Sequence, residues 1–359
     1  MARIGAVLLV AAMGAGAAAP VAEGYETEGH GGPPPYRFTY EAIDLGNLGD
    51  AGSGPSVAAA VNDAGVVVGT TRTVDGLEVA FVWTRAGGMA AIAVPGAVQS
   101  QAADVNDRGQ VAGTATYPDG GTRPFVWSPR TGRTTDLGTL GGQYARAAAI
   151  NDRGQVVGTS GSASGEDRAF LWSPRAGAMR DLGTLGGGSS SAYGLNDRGQ
   201  VVGDAATADG LGHAFVWDPR SGQMTDLGVL PGGVVSFGRG INDRGDVTGW
   251  SADVADDSSV AFLWSARTRT MQPLAGLGAG SSEAIGITDK GVVVGTRSAT
   301  GEFRAFVWQP RPAGAVDLVG PYGGSSFAYG TSDKGYVVGS ATGVENGVAV
   351  LWLPRRAGR

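Results

Sequence analysis

The sequence predicts an all-β fold: a seven-bladed β-propeller of ~45-residue four-stranded blades, with an N-terminal strand completing the last blade. Two repeated strings and their spacing predict it. The first, VNDAGVVVG at Val61, returns as VNDRGQVAG at Val105, INDRGQVVG at Ile150, LNDRGQVVG at Leu195, INDRGDVTG at Ile241, ITDKGVVVG at Ile287 and TSDKGYVVG at Thr331. Its aspartates, Asp63, Asp107, Asp152, Asp197, Asp243, Asp289 and Asp333, step by 44, 45, 45, 46, 46 and 44 residues, the length of one propeller blade. The second string is Phe-Val-Trp or Phe-Leu-Trp at Phe81, Phe125, Phe170, Phe215, Phe262 and Phe306, with Val350-Leu351-Trp352 as a weaker seventh copy.

Each strand of a blade follows from these strings. Five residues before each repeat aspartate stand Ala58, Ala102, Ala147, Ala192, Gly238, Ala284 and Ala328. Three residues before it stand Ala60, Asp104, Ala149, Gly194, Gly240, Gly286 and Gly330. Strands nearest an axis have least room, so this small-residue segment is placed innermost. The Asn-Asp-x-Gly turn comes next, its glycine free to take a positive φ, and leads into the Val-Val strand. The Phe-x-Trp strand is third, and these two pack blade against blade. A turn such as SPRTG or DPRSG then closes a hairpin onto a short outer strand ending in Asp-Leu-Gly at Asp136, Asp181 and Asp226, or Asp-Leu-Val at Asp317. The segments at Met89 and Pro273 lack the Asp-Leu pair, which predicts irregular outer strands there.

The last repeat has no outer strand after its third. YRFTYEAIDL, Tyr36 to Leu45, instead precedes the first inner strand and runs into Asp44-Leu45-Gly46, the outer-strand signature. It is expected to complete the seventh blade and so remove two exposed sheet edges.

Composition bounds the function. Arg3, the apolar run Ile4 to Met13 and the small residues to Ala19 read as a secretory signal. The expected organisation is a signal peptide over 1–22, a Gly/Pro-rich linker over 23–35, the propeller over 36–354 and a tail over 355–359. The apolar run is too short to span a bilayer, so a secreted, extracellular protein without a membrane span is expected. With no cysteine, stability must come from core burial and not from disulfides. The net charge of −6 argues against nucleic acid as a partner. The chain is expected to be a monomer with no cofactor.

GHAFVW at Gly212 with MTDLG at Met224, together with AFLW…MRDLGTLGG and INDRGQVVG around them, resembles the extracellular HAF repeat family over roughly residues 36 to 354. The resemblance implies an exported location and no particular activity. Only one repeat carries the His213-Ala214-Phe215 triplet itself.

Candidate chemistry is sparse. The repeat aspartates, Asp63 through Asp333, are read as structural turn residues: calcium needs six to eight oxygens and each loop offers one or two. Arg244-Gly245-Asp246 spells an integrin-type tripeptide but arises from one change inside a repeat turn. His213 is read as an ordinary loop residue, and the other histidine, His30, falls in the linker, so no metal cluster or Ser-His-Asp triad is expected. The acidic loop of Asp253, Asp256 and Asp257 is the best isolated cation candidate, with a solvated loop the plainer reading.

The two ends of the predicted ring differ. The N-D-R-G and S-P-R-x-G turns share one end and hardly change, while the connections at the other end differ in every repeat, where recognition surfaces usually lie. At that variable mouth are placed Arg146, Tyr193, Arg239, Glu283, Tyr329 and Asp104, all from inner strands or just before them. The plainer alternative is that they fill or solvate the channel. Two functions follow: a non-catalytic extracellular binding or interaction module for a ligand such as a glycan or cell-surface polymer, which is preferred, and a polysaccharide hydrolase or lyase. The second would use Glu283 or Asp104 as acid/base, with Arg146 or Arg239 holding an anionic group.

Overall fold

The computed structural model describes residues 38–49, 54–253, 258–299, 301–342 and 347–356. The expected signal peptide and linker, with His30, Asp256 and Asp257, lie outside the described residues. All regular structure among the described residues is β-strand. No helix there is long and apolar enough to cross a membrane.

Repeat 2 shows the plan. Its strands Gln99–Val105, Val111–Thr116, Thr122–Ser128 and Arg133–Asp136 pair antiparallel in chain order. The first strands of successive repeats lie side by side, and those of the last and first repeats also touch. They surround an opening of about 240 Å³ lined by the Asn-Asp turns or their counterparts in every repeat. Four-stranded sheets set radially about such an opening make a β-propeller. The outer strands at Gly88–Ala91 and Thr270–Pro273 are as regular as the others, contrary to expectation. Backbone pairing with the Phe-x-Trp strand holds them without an Asp-Leu pair.

The core lies between sheets. Each hydrophobic cluster joins two neighbouring repeats: Val157 and Leu171 of repeat 3, for example, pack with Val201, Phe215 and Trp217 of repeat 4. Within each sheet the glycine of Val-Val-Gly lets the inner strand and the third-strand phenylalanine approach closely. A Cβ on Gly158 would lie 1.9 Å from the Arg146 carbonyl oxygen and 3.0 Å from the Phe170 ring.

The expected N-terminal strand is present as Phe38–Asp44 and pairs with Gly347–Arg356. Asp44 accepts the Gly46 N–H at 2.8 Å, as Asp136 and Asp181 accept those of Gly138 and Gly183. The Leu45 N–H bonds the Ala349 carbonyl just as Leu182 bonds Ala169. Leu45 packs with Val338, Ala349 and Leu351 of the last repeat and with Ala58 and Val67 of the first. Pairing with this strand carries Gly347–Arg356 two residues past the expected boundary at 354, into the presumed tail.

Side chains also stitch repeats together. In six repeats a serine on the inner strand accepts the N–H of the residue before the third-strand phenylalanine in the preceding repeat, as from Ala80 to Ser100, Ala169 to Ser190 and Ala214 to Ser236. The same bond runs from Ala349 of the last repeat to Ser56 of the first, at 2.9 Å. Repeat 3 has Ala145 in place of this serine, and the residue facing it in repeat 2 is Pro124, which has no N–H to satisfy.

Candidate functional site

The Asn-Asp turns form the first of two distinct environments along the channel. The asparagine shapes the turn: Asn151 Oδ1 accepts the N–H groups of Arg153 and Gln155. Its Nδ2 donates to the Asn196 carbonyl of the next repeat at 3.0 Å. The aspartates, expected as turn formers, bond between repeats instead. Asp107 Oδ1 accepts the Asp63 N–H, Asp152 that of Asp107, and so on to Asp333, which accepts that of Asp289. Asp63 accepts the Lys334 N–H at 3.1 Å. Their role is structural, but it is stitching, because asparagine already satisfies the turn. Desolvation, chiefly, raises the Asp333 pKa, with the neighbouring Asp289 and Asp63 carboxylates adding to it.

The second environment depends on a β-bulge. In every inner strand the register slips between the residues five and three before the repeat aspartate, leaving the one between them unpaired. That extra residue is Ala59, Ala103 or Ala148 in repeats 1 to 3, but Tyr193, Arg239, Ile285 or Tyr329 in repeats 4 to 7. Bulges re-aim side chains beside functional sites, and here they gather unlike residues. The Arg239 guanidinium lies over the Tyr193 ring, 4.1 Å from its centre. The Tyr193 hydroxyl meets the Asp204 carboxylate, and Arg239 attracts both Asp204 and Glu283. Phe237 and Trp250 stack at 4.1 Å in the same repeat as Arg239.

Burial dominates the titration of this cluster. It raises the Asp204 carboxyl to about 6, against the opposing pull of Tyr193 and Arg239, and the Tyr193 phenol to about 12. Glu283 and Tyr329 are raised by the same cause. Three buried atoms here lack a hydrogen-bond partner among the described residues: Asp204 Oδ1, Arg239 Nε and Trp250 Nε1. Arg72 Nε and Trp217 Nε1, outside this cluster, share that state, but only here do three such atoms gather, and water or a bound group would satisfy them.

Tyr193, Arg239 and Glu283 thus come together as the sequence suggested. Tyr329 bonds Ser340 weakly, at 3.4 Å. Arg146 is exposed on its inner strand. Asp104 is displaced from the variable mouth: it lines the opening framed by the Asn-Asp turns. The bulge before it turns its carboxylate into the seam with repeat 3, where it accepts the N–H groups of Ile150 and Val105, both at 2.8 Å. Desolvation lifts its pKa to about 7 although both bonds lower it. It is half-buried at that opening and does not join the cluster of Tyr193, Arg239 and Glu283.

Sequence reasoning missed Asp204 and Trp250. Both lie seven residues after the repeat aspartate, where the other repeats carry Thr70, Thr114, Thr159, Thr296 and Ser340. Reading that column for departures would have found them. His213 is on a strand and not a loop, its Nδ1 2.9 Å from Asp226. Arg244 and Asp246 pair with each other at 3.0 Å, so the tripeptide does not present two free charges. Of the acidic loop only Asp253 is described, and no group of three or more potential metal ligands occurs among the described residues.

No family model matches the chain, and no curated protein matches it. Solved structures do. The β-propeller domain of the Trilobed protease from Pyrococcus furiosus is 9% identical with a TM-score of 0.60, covering 84% of this chain and 97% of that one. Puromycin hydrolase is 14% identical with a TM-score of 0.58, over 86% of this chain and 54% of that one. The acylaminoacyl peptidase of Pyrococcus horikoshii is 9% identical with a TM-score of 0.56, over 84% and 52%. The chain spans about half the length of these last two. The likeness establishes the propeller fold and nothing of activity.

Proposed function

We propose that the chain is an exported, non-catalytic binding propeller of seven closed blades, whose ligand occupies the channel cluster of Tyr193, Asp204, Arg239 and Glu283. The single observation that carries this reading is the trio of unpartnered buried atoms on Asp204, Arg239 and Trp250 in adjacent repeats. A protein that merely filled its channel would put alanine and threonine at these positions throughout, as repeats 1 to 3 do. Aromatic faces beside a carboxylate and a guanidinium suit a carbohydrate, which stacks on rings and hydrogen-bonds through hydroxyls. Support for closure comes from the Phe38–Asp44 strand and the Ala349 to Ser56 bond. Export rests on the Arg3 to Ala19 segment and on the resemblance to the HAF repeat family.

A glycan array tests the binding role. Wild-type protein is expected to retain hits that Arg239→Gln loses and that Asn106→Ala, altering only the repeated turn, keeps. Hits unchanged in Arg239→Gln would refute the site.

One observation favours hydrolysis as a second reading: the Asp204 and Glu283 carboxylates, both with raised pKa, flank the same guanidinium, as an acid and its partner would. Release of new reducing ends from an array hit, lost in Glu283→Gln, would favour it.

A further inference from the structure

On the turn-bearing end, the first six repeats each carry an arginine in the outer turn, from Arg85 to Arg311, and six of the seven carry Arg or Lys directly after the repeat aspartate. Single cations there are the rule. Between repeats 5 and 6 they border a cavity of about 580 Å³, lined by Arg244, Asp246, Arg267, Lys290 and Arg311, with Val292, Gln309 and Pro310.

The cause of the cavity is legible in the repeat. Three residues after the repeat aspartate, repeats 2 to 4 have Gln110, Gln155 and Gln200. Each of these side chains reaches the turn glycine of the next repeat: a Cβ on Gly154 would lie 3.4 Å from Gln110 Oε1, and one on Gly245 3.3 Å from Gln200 Oε1. In repeat 5 the position is Asp246. Its shorter side chain is drawn back by the Ala266 N–H at 3.1 Å and by Arg244. Beside Gly291, the turn glycine of repeat 6, the place that glutamine takes elsewhere is held by Arg244, whose guanidinium lies 3.0 Å from where a Cβ would stand, and the cavity opens next to it, bordered by the other cations of the two repeats.

Four cations and one carboxylate border this space in a chain of net charge −6. Arg244 is engaged by Asp246 and by the Asp289 carbonyl, and Lys290 by the Asp333 carbonyl at 3.4 Å. Arg267 and Arg311 are exposed and have no side-chain partner among the described residues. Two free guanidiniums offer paired donors to an oxyanion. The volume lies within the ~300–1,000 Å³ of small-molecule sites, which leaves room for a polar body behind the charged group. Val292, Pro310 and the stems of the long side chains put apolar surface beside the charges, which suits a body such as a sugar ring that has both hydroxyls and C–H faces.

We propose that this cleft binds a sugar bearing a phosphate or sulfate ester, with Arg267 and Arg311 gripping the oxyanion and Lys290 adding charge. The site is separate from the channel cluster and stands or falls independently of it.

Calorimetric titration of the mature protein at low salt with glucose 6-phosphate, glucose 6-sulfate, glucose and inorganic phosphate tests it. Saturable binding of one or both esters, at least tenfold tighter than glucose or inorganic phosphate, is expected, and the preferred ester identifies the source of the anion. The double variant R267Q/R311Q should weaken it at least tenfold. R85Q/R130Q removes the same charge from the same end and should change it less than twofold. Equal losses in the two double variants, or no ester binding at millimolar concentration, would overturn the proposal.

Discussion

The two ends of the propeller are built to opposite rules. At the turn-bearing end the same bonds recur from repeat to repeat: asparagine to the next backbone carbonyl, aspartate to the preceding N–H. At the other end lie the exposed apolar side chains, among them Val74, Leu77, Leu211, Phe303 and Tyr322. Between the ends, the bulged inner strands hold alanine in three repeats and large or charged side chains in repeats 4 and 5. Repetition at one end fixes the packing of successive repeats, and that leaves the channel free to carry residues costly to stability. Polar atoms left unpaired at Asp204, Arg239 and Trp250 are that cost.

The comparison can be broken most severely at the seam between first and last repeats. Deleting Phe38 to Gly46 removes a strand paired over its whole length and the Leu45 core contacts. The truncated protein should lose cooperative folding or melt more than 10 °C lower, by analogy with the loss of several buried side chains at ~1.5–3 kcal/mol each. An unchanged melting temperature would mean that this strand is not a latch.

Next in size is the asparagine stitch. Asn196 Oδ1 accepts two N–H groups, and its Nδ2 bonds the Asn242 carbonyl and Gln200. Asn196→Ala should cost about 2 to 4 kcal/mol in urea unfolding, since several buried groups lose their partners. Arg146→Ala, in the variable channel, should cost under about 0.5 kcal/mol.

Asp104 sharpens the comparison through pH. Its folded pKa of about 7 lies above the ordinary aspartate value of 3.8, so the folded state holds the proton more tightly. The stability it contributes is therefore present at acid pH and is lost as pH rises through 7. Asp104→Ala, the residue of repeats 1 and 3 at this position, should remove a slope approaching about 1 kcal/mol per pH unit between pH 5 and 7. Parallel pH profiles for wild type and variant would contradict the burial of this carboxylate.

A smaller effect is expected where the stitching lapses. Repeats 6 and 7 carry Thr288 and Ser332 in place of asparagine, and their hydroxyls accept only the local Val292 and Lys334 N–H groups. Ser332→Asn should stabilise the protein by about 1 kcal/mol by adding the missing bond between repeats. No gain in urea midpoint would show that the geometry of this seam forbids the stitch.

Much of the fold was legible because repetition multiplies each signal. The Asp63-to-Asp333 spacing set the unit, and Asp44-Leu45-Gly46 identified an outer strand far from its partners in sequence. The bulge was not legible, because an unpaired residue leaves no mark on alanine-rich strands. Missing it put Asp104 at the wrong mouth. The stitching role of the aspartates was hidden too, since sequence shows a turn and not the neighbour its carboxylate reaches. In the site, Tyr193, Arg239 and Glu283 stood out as bulky residues on small-residue strands. Asp204 was overlooked because it lies on the second strand, where attention to Val-Val-Gly obscured the threonine column beside it.

The most direct test of the central claim, that the channel cluster is maintained for a ligand at the expense of stability, is the thermal unfolding of Asp204→Thr. Threonine occupies this position in four other repeats, where Thr114 and Thr296 accept the Ala147 and Ala328 N–H of the next inner strand at 3.1 and 3.4 Å. Replacing an unpaired buried carboxylate oxygen by that hydroxyl should raise stability by about 1 kcal/mol and lift the Tm. A Tm lowered by several degrees would contradict the account, making Asp204 a structural residue of its seam and not part of a binding site.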